Sequence, residues 1–225
     1  MTRHKNWFRQ EPKDFTDKPL RNRKFSKRYL FDADFRELDL DGALFDEAML
    51  EGARFDESSL AQASIRNAHL AHAKFRNTDL TNTDLSYDRD FPRKKNSCFY
   101  ADFSHSTMEN ANFSRSPLTY ARFERSILIH ANFNRATLVA ADLTSSNMQN
   151  ADLRFTNLSR AKLVGCDLRG ANLSFTNLTG ANLENAIYDD TTIWRGTRYN
   201  QRTRWVDGKR QPPPLRDTLV ELPDG

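Results

Sequence analysis

Residues equipped for catalysis are present, but not at spacings that build a site. Five histidines, His4, His69, His72, His105 and His130, are scattered along the chain. His69 and His72 are near neighbours, yet no cysteine or carboxylate accompanies them at ligand spacing, so no metal centre is expected. Cys98 and Cys166 make neither a disulfide framework nor a zinc set. There is no glycine loop to cradle a phosphate and no nucleophile elbow. Aspartates are numerous enough to suggest acid–base chemistry, but most occupy repeat positions. The expectation is a protein with no catalytic residues, no cofactor and no metal, and not an enzyme.

Five-residue units position these side chains. From Phe25 to Leu85, and again from Cys98 to Ile193, every fifth residue is apolar. Neither a helical nor a strand period produces this spacing. The residue two before each centre is usually small, as at Ala33, Ala43, Ala48 and Ala53, with Leu38 an exception. Residues two apart in an extended segment point the same way, so each unit sends one large and one small residue inward. Cys98 and Cys166 fall in inward slots and are expected to be core atoms. The residue between the pair is mostly polar (Asp34, Asp39, Asn112, Asn132, Asp152, Asn172) and should face outward. The repeat glycines Gly42, Gly52, Gly165, Gly170 and Gly180 all stand two after a centre, at a position that tolerates a corner.

This A-(D/N)-L-x-x pattern resembles the pentapeptide-repeat family. Ala171-Asn172-Leu173-Ser174 and Ala181-Asn182-Leu183-Glu184 match its consensus residue for residue. The resemblance implies an all-β chain, a right-handed quadrilateral β-helix (pentapeptide-repeat solenoid) with four units per coil. Residues 20 apart should then stack on adjacent coils. Asp102, Arg122, Asp142 and Lys162 alternate in sign at that spacing, as do Arg36, Asp56 and Arg76. Phe103 should stack on Phe123, Phe113 on Phe133, and Phe35, Phe55 and Phe75 in one column. The units make about eight coils and a rod on the order of 40 Å long.

Three regions break the pattern. Residues 86–97 do not fit the period and should project as a loop carrying Pro92, Arg93, Lys94 and Lys95, either a surface excursion or a binding loop. At the N-terminus, inward slots would hold Lys13, Lys18, Arg23 and Arg28, and buried unpaired cations are untenable. Residues 1–24 therefore read as an irregular basic cap or arm, with Trp7, Phe8 and Phe15 covering the open end, and 25–193 as the β-helix. After Ile193 the repeat should stop. Residues 194–225 read as a cap containing Trp194 and Trp205, followed by an extended tail around Pro212, Pro213 and Pro214.

The chain has 225 residues, of which 38% are apolar and 28% charged, with a net charge of +4. That average hides segregation. Residues 1–30 hold ten basic and three acidic residues, whereas 31–57 hold ten acidic and two basic ones. No run approaches the ~18 apolar residues of a membrane span, and no secretory signal is visible, so a cytoplasmic location is expected.

The remaining signals are surfaces. The acidic segment comprises Asp32, Asp34, Glu37, Asp39, Asp41, Asp46, Glu47, Glu51, Asp56 and Glu57. Arg115, Arg135, Phe155 and Phe175 share one corner column, with Arg154 beside it, and Tyr100 stands above Tyr120. Arginine and aromatic residues in one ridge suit a protein interface. The leading expectation is a protein-interaction scaffold with a protein partner. The family also implies topoisomerase modulation by partial DNA mimicry, although only residues 31–57 approach the charge density of DNA. A third reading is nucleic-acid binding through the basic arm, set against pairing of that arm with the acidic coils beside it.

Overall fold

The computed structural model describes residues 20–88, 98–205 and 219–223. The chain winds as a right-handed quadrilateral β-helix. The residue before each centre forms a parallel bridge to its counterpart on the next coil: Asp34 to Arg54, Arg54 to Lys74, Asp102 to Arg122. Each bridge consists of two hydrogen bonds. Phe35 N–H donates to the Arg54 carbonyl at 2.8 Å, and Arg54 N–H donates to the Ala33 carbonyl at 2.9 Å. The amides of a wall thus find partners on the neighbouring coil, as a buried backbone requires.

Corners are tight turns. Ala53 N–H donates to the Leu50 carbonyl at 3.0 Å, and Gly52 between them has φ +71°. Among the described residues, 26 non-glycine residues take a positive φ, at the same place in the unit. Glycine is therefore not required to turn the corner. The backbone cost, about 1 kcal/mol or more per residue, is borne because the flanking bridges fix the chain on both sides. The Asp32 side chain lies over Gly52 and would have to shift to admit a Cβ there.

The core is a herringbone in its phenylalanine-rich coils. Phe35, Phe55, Phe75, Phe103 and Phe123 stack at successive centroid separations of 4.9, 4.7, 4.9 and 5.0 Å. Phe25–Phe45 and Phe113–Phe133 stack on the opposite wall at 4.7 and 4.9 Å. Rings from the two walls meet edge to face, as in Phe35–Phe45 at 5.5 Å and Phe123–Phe133 at 5.8 Å. Where serine or threonine replaces the small inward alanine, its hydroxyl can donate to a carbonyl of the coil before. Thr78 Oγ1 bonds the Phe55 carbonyl and Thr156 Oγ1 bonds the Phe133 carbonyl, both at 2.8 Å. A buried hydroxyl is thereby satisfied without disturbing the wall.

The insertion lengthens one coil, because Lys74 bridges Asp102, 28 positions on, where the coils on either side step by 20. Its entrance is built. Tyr87 is buried and donates to the Ala68 carbonyl. Asp88 takes Arg66 Nη2 at 2.6 Å and Asn67 Nδ2 at 2.8 Å. Phe75 still stacks on Phe103 across the interruption, so the core ignores it. Arg93, Lys94 and Lys95 lie outside the described residues.

Both expected ends need correction. Coil geometry is already present at Leu20, with Lys24 bridging Leu44, so the winding starts before residue 25. Arg23 and Arg28 are exposed rather than buried. Their slots lie on the first described coil, where no earlier described coil covers them. Lys13, Lys18, Trp7, Phe8 and Phe15 fall outside the described residues.

At the other end the repeat does not stop at Ile193. Asn172 bridges Ile193, Asn177 bridges Arg198 and Asn182 bridges Arg204, at offsets of 21, 21 and 22 rather than 20. Ile193 is therefore an outward bridging residue, 46% exposed, and Trp194 takes the inward slot. The extra residues sit in two widened turns. Asp189 Oδ1 accepts the Thr191 N–H at 2.9 Å, and Asn200 Oδ1 accepts the Arg202 N–H at 3.2 Å. Thr192, Thr197 and Thr203 fill the small slots, while Trp194, Tyr199 and Trp205 fill the large ones. Strand β1 (Thr197–Tyr199) pairs in parallel with β2 (Leu219–Glu221), which covers one open edge of the last coil. Pro212, Pro213 and Pro214 are outside the described residues.

Candidate interaction surface

Catalytic-type residues are absorbed into structure. Cys98 and Cys166 are buried, and burial pushes both thiols up to about 12, far from the thiolate that nucleophilic work needs. His72 stacks on Tyr100 at 5.2 Å, and His69 lies 3.8 Å from Glu51. Among the described residues no cluster of His, Cys, Asp and Glu could hold a metal ion, and no helix is long and apolar enough to cross a membrane.

The acidic segment does not form one patch. Four units complete a coil, so the run from Asp32 to Glu57 winds past all four sides of the rod. Much of it is paired. Arg21 binds Asp39 and, at 2.7 Å, Asp41. Arg36 binds Asp34 at 2.6 Å, and Lys27 lies 3.5 Å from Glu47. Asp41, Asp46 and Asp56 stand at equivalent positions just after a centre. Each accepts a backbone N–H from the next coil, of Ala61, Arg66 and Arg76 at 3.0, 3.0 and 3.3 Å. Asp56 is buried and also takes Arg76 Nε at 2.9 Å. Asp32 is fitted over Gly52. Glu37 and Glu57 remain as one corner column.

The alternating charges form ion pairs: Lys162 Nζ lies 2.9 Å from Asp142, and Arg122 3.5 Å from Asp102. Aspartates whose pKa is lowered by such partners make stability acid-sensitive. Asp167 is held down to about 2, first by its hydrogen bond from Arg169 and against the upward pull of burial. The Arg36 hydrogen bond lowers Asp34, and the Arg21 hydrogen bond lowers Asp39. A carboxyl whose folded pKa lies below its unfolded value stabilises fully above the unfolded value, near 3.8, and loses this as pH falls toward 2. Melting at pH 2.5 should therefore occur well below melting at pH 7. Asp167→Asn should shrink that difference by about 1 kcal/mol after solvent screening.

Two ladders stand out on the corners. Phe155 and Phe175 stack at 5.1 Å and are 46% and 42% exposed. Arg135 Cζ lies 4.8 Å from the Phe155 centroid and Arg195 Cζ 6.0 Å from that of Phe175. Phe175 also lies against Gly196, where a Cβ would come within 2.7 Å of the ring. Arg115 extends the column on the side of Arg135. Arg154, expected in this ridge, turns away and binds Asp152 at 2.6 Å. The second ladder is His72, Tyr100 and Tyr120, the last pair stacked at 5.0 Å. Sequence reasoning missed His72, Arg195 and Gly196 as ladder members. The insertion separates His72 from Tyr100, and a widened turn separates Gly196 from Phe175, so a fixed step of four units passes over them.

A rigid four-sided coil with its distinctive residues on corners defines a solenoid display protein, in which side chains are presented at the ~4.8 Å interval of the coils. The chain belongs to the pentapeptide-repeat family: the family pattern described as pentapeptide repeats matches it in eight copies, covering residues 29–67, 48–86, 97–135, 117–154 and 151–187. Solved structures similar to it include HetL, a pentapeptide repeat protein involved in heterocyst differentiation regulation from the cyanobacterium Nostoc. HetL is 24% identical, with 84% of this chain and 90% of that chain covered and a TM-score of 0.33. QnrB1, a plasmid-mediated fluoroquinolone resistance protein, is 13% identical in one trypsin-treated form, with 88% and 89% covered and a TM-score of 0.36. A pentapeptide repeat protein of the Arabidopsis thaliana thylakoid lumen is 35% identical, with 52% and 66% covered and a TM-score of 0.22. No curated protein matches the chain.

Proposed function

We propose that this protein is a non-enzymatic scaffold that binds another protein through its ladder-bearing corners. The observation that carries the reading is the exposed Arg135–Phe155–Phe175–Arg195 ladder. It joins the residue types that dominate binding energy at protein interfaces to a backbone that loses little freedom on binding. The acidic belt supports a structural role better than DNA imitation, since five of its ten carboxylates bind arginines or backbone amides and Glu47 lies beside Lys27. Pairing of Arg21 and Lys27 with that belt gives these two cations a role in the fold rather than in binding nucleic acid.

Affinity capture from the source cell with the full chain tests this. A reproducibly enriched protein that is lost with the Phe155→Ala/Phe175→Ala variant, folded by circular dichroism, is expected. No enrichment over a bait-free control sinks the reading. A supercoiling assay with added topoisomerase measures the alternative directly.

A further inference from the structure

Along the five coils that follow the insertion, one side of the rod is free of acid among the described residues. Over five successive coils, the wall between the Phe155–Phe175 corner and the Tyr120–Gly180 corner comprises residues 115–120, 135–140, 155–160, 175–180 and 195–202. These segments contain no aspartate or glutamate. They contain six arginines: Arg115, Arg135, Arg160, Arg195, Arg198 and Arg202. The other three sides of the same coils all carry carboxylates, among them Asp142, Asp167 and Asp152, and each of those is ion-paired to a neighbouring cation. Among the described residues none of the six arginines forms an ion pair with a carboxylate, whereas Arg21, Arg36, Arg66, Arg76, Arg122 and Arg169 all do. The carboxylate of Glu221 appears only beyond the last coil, beside Tyr199.

The arginines frame the wall. Arg115 and Arg135 follow one edge, and Arg195 adjoins it, one residue before the corner at Gly196. Arg160 and Arg202 follow the other, on either side of Gly180, where an added Cβ would lie 3.7 and 3.9 Å from them. Arg198 stands in the middle, at a bridging position. Between the edges, Thr137, Asn157 and Asn177 present uncharged polar groups. We infer that this wall is the docking face of the scaffold and that it takes an acidic polypeptide segment, aspartate- or glutamate-rich, laid along the coils. The inference rests on the scaffold reading and supplies the chemistry of its partner.

Charge complementarity argues for an anion, and the ladder argues for protein over nucleic acid. Binding of single strands relies on aromatic faces open to bases. Here Phe155 and Phe175 cover one another, with Arg135 over the outer face of one and Gly196 against the other, so only ring edges point outward. Those edges carry the positive end of the ring quadrupole and suit carboxylates, while their carbon surface suits apolar side chains interspersed among acids. Arginine forks bind carboxylates in bidentate fashion and stay charged at every accessible pH.

The test is fluorescence anisotropy with the full chain at low salt. The probes are a labelled peptide alternating glutamate, serine and leucine, and single- and double-stranded DNA of matched charge. The peptide should bind, and binding should weaken about tenfold or more in Arg115→Gln/Arg135→Gln/Arg160→Gln/Arg198→Gln, with circular dichroism unchanged. A control on other sides, Arg122→Gln/Lys162→Gln/Arg169→Gln, should change it by less than about threefold. No peptide binding, equal losses in both variants, or tighter binding of either DNA overturns the assignment. Affinity capture with the quadruple variant separates the two claims. A partner captured as well as by the wild type removes this face but keeps the scaffold, whereas no partner captured by the wild type removes the scaffold itself.

Discussion

Phe123→Ala should destabilise the protein by about 3–5 kcal/mol, the range for truncating a fully buried aromatic ring. Phe123 is completely buried. It stacks on Phe103 at 5.0 Å and meets Phe113 and Phe133 edge to face at 5.6 and 5.8 Å. Removing it takes away three aromatic contacts at once, and the bridges on both sides prevent the wall from collapsing into the space. The consequence extends beyond the number. A solenoid is stabilised by its own coils plus nearest-neighbour interfaces, so a weak interface in mid-rod uncouples the two halves. Denaturant unfolding followed by circular dichroism should broaden or split into two steps. Hydrogen exchange should show protection lost first in the coils adjoining Phe123. Phe123→Leu, matching the Leu143 that succeeds it in the column, should retain most of the stability. Equal losses in the two variants would show that a large side chain is not what the site supplies.

Trp205→Ala is the second large effect, again about 3–5 kcal/mol. Trp205 is 1% exposed and closes the last described coil. It packs edge to face against Trp194 at 5.9 Å and Tyr199 at 5.7 Å, and Trp194 meets Tyr188 at 5.3 Å. These four rings plug the end of a narrow core whose preceding coil offers Leu168, Leu173, Leu178 and Leu183 as its large residues. In contrast with Phe123, the damage should stay local. Limited proteolysis should open the chain beyond Ile187 while the central coils remain resistant, and the thermal transition should gain an early step. Trp205→Phe should cost much less, because the phenyl ring keeps most of the buried aromatic packing and the indole nitrogen of Trp205 has no hydrogen-bond partner among the described residues. A single cooperative transition lowered uniformly along the rod would contradict this local picture.

The architecture is unusually legible in the sequence. The five-residue period identifies the inward residues directly, and the expected stacks of Phe35, Phe55 and Phe75, of Phe103 on Phe123 and of Phe113 on Phe133 are all present. The alternating column of Asp102, Arg122, Asp142 and Lys162 is present as bridges. Such expectations hold because each unit makes its own wall and corner from five consecutive residues, so covalent spacing alone sets the phase. The failures share one cause. Continuing the step of five places Ile193 inward, but one extra residue in the Asp189 turn moves Trp194 into that slot. The same arithmetic hides the Trp205 coil, and a fixed coil length hides His72 and Gly196 as ladder members.

Sequence by itself thus determined the coil, its core and the segregation of charge along the chain. Tertiary structure decided what that charge does. An acidic run that looks like a patch in one dimension becomes a belt in three, since four units complete a circuit, and arginines and inter-coil backbone amides bind half of its carboxylates. Six arginines spread from Arg115 to Arg202 become one wall without acids, because inter-coil hydrogen bonds and the two widened turns bring them into register. Spacing within a unit is covalent and local, whereas the register between coils belongs to the hydrogen bonds and turns that join them.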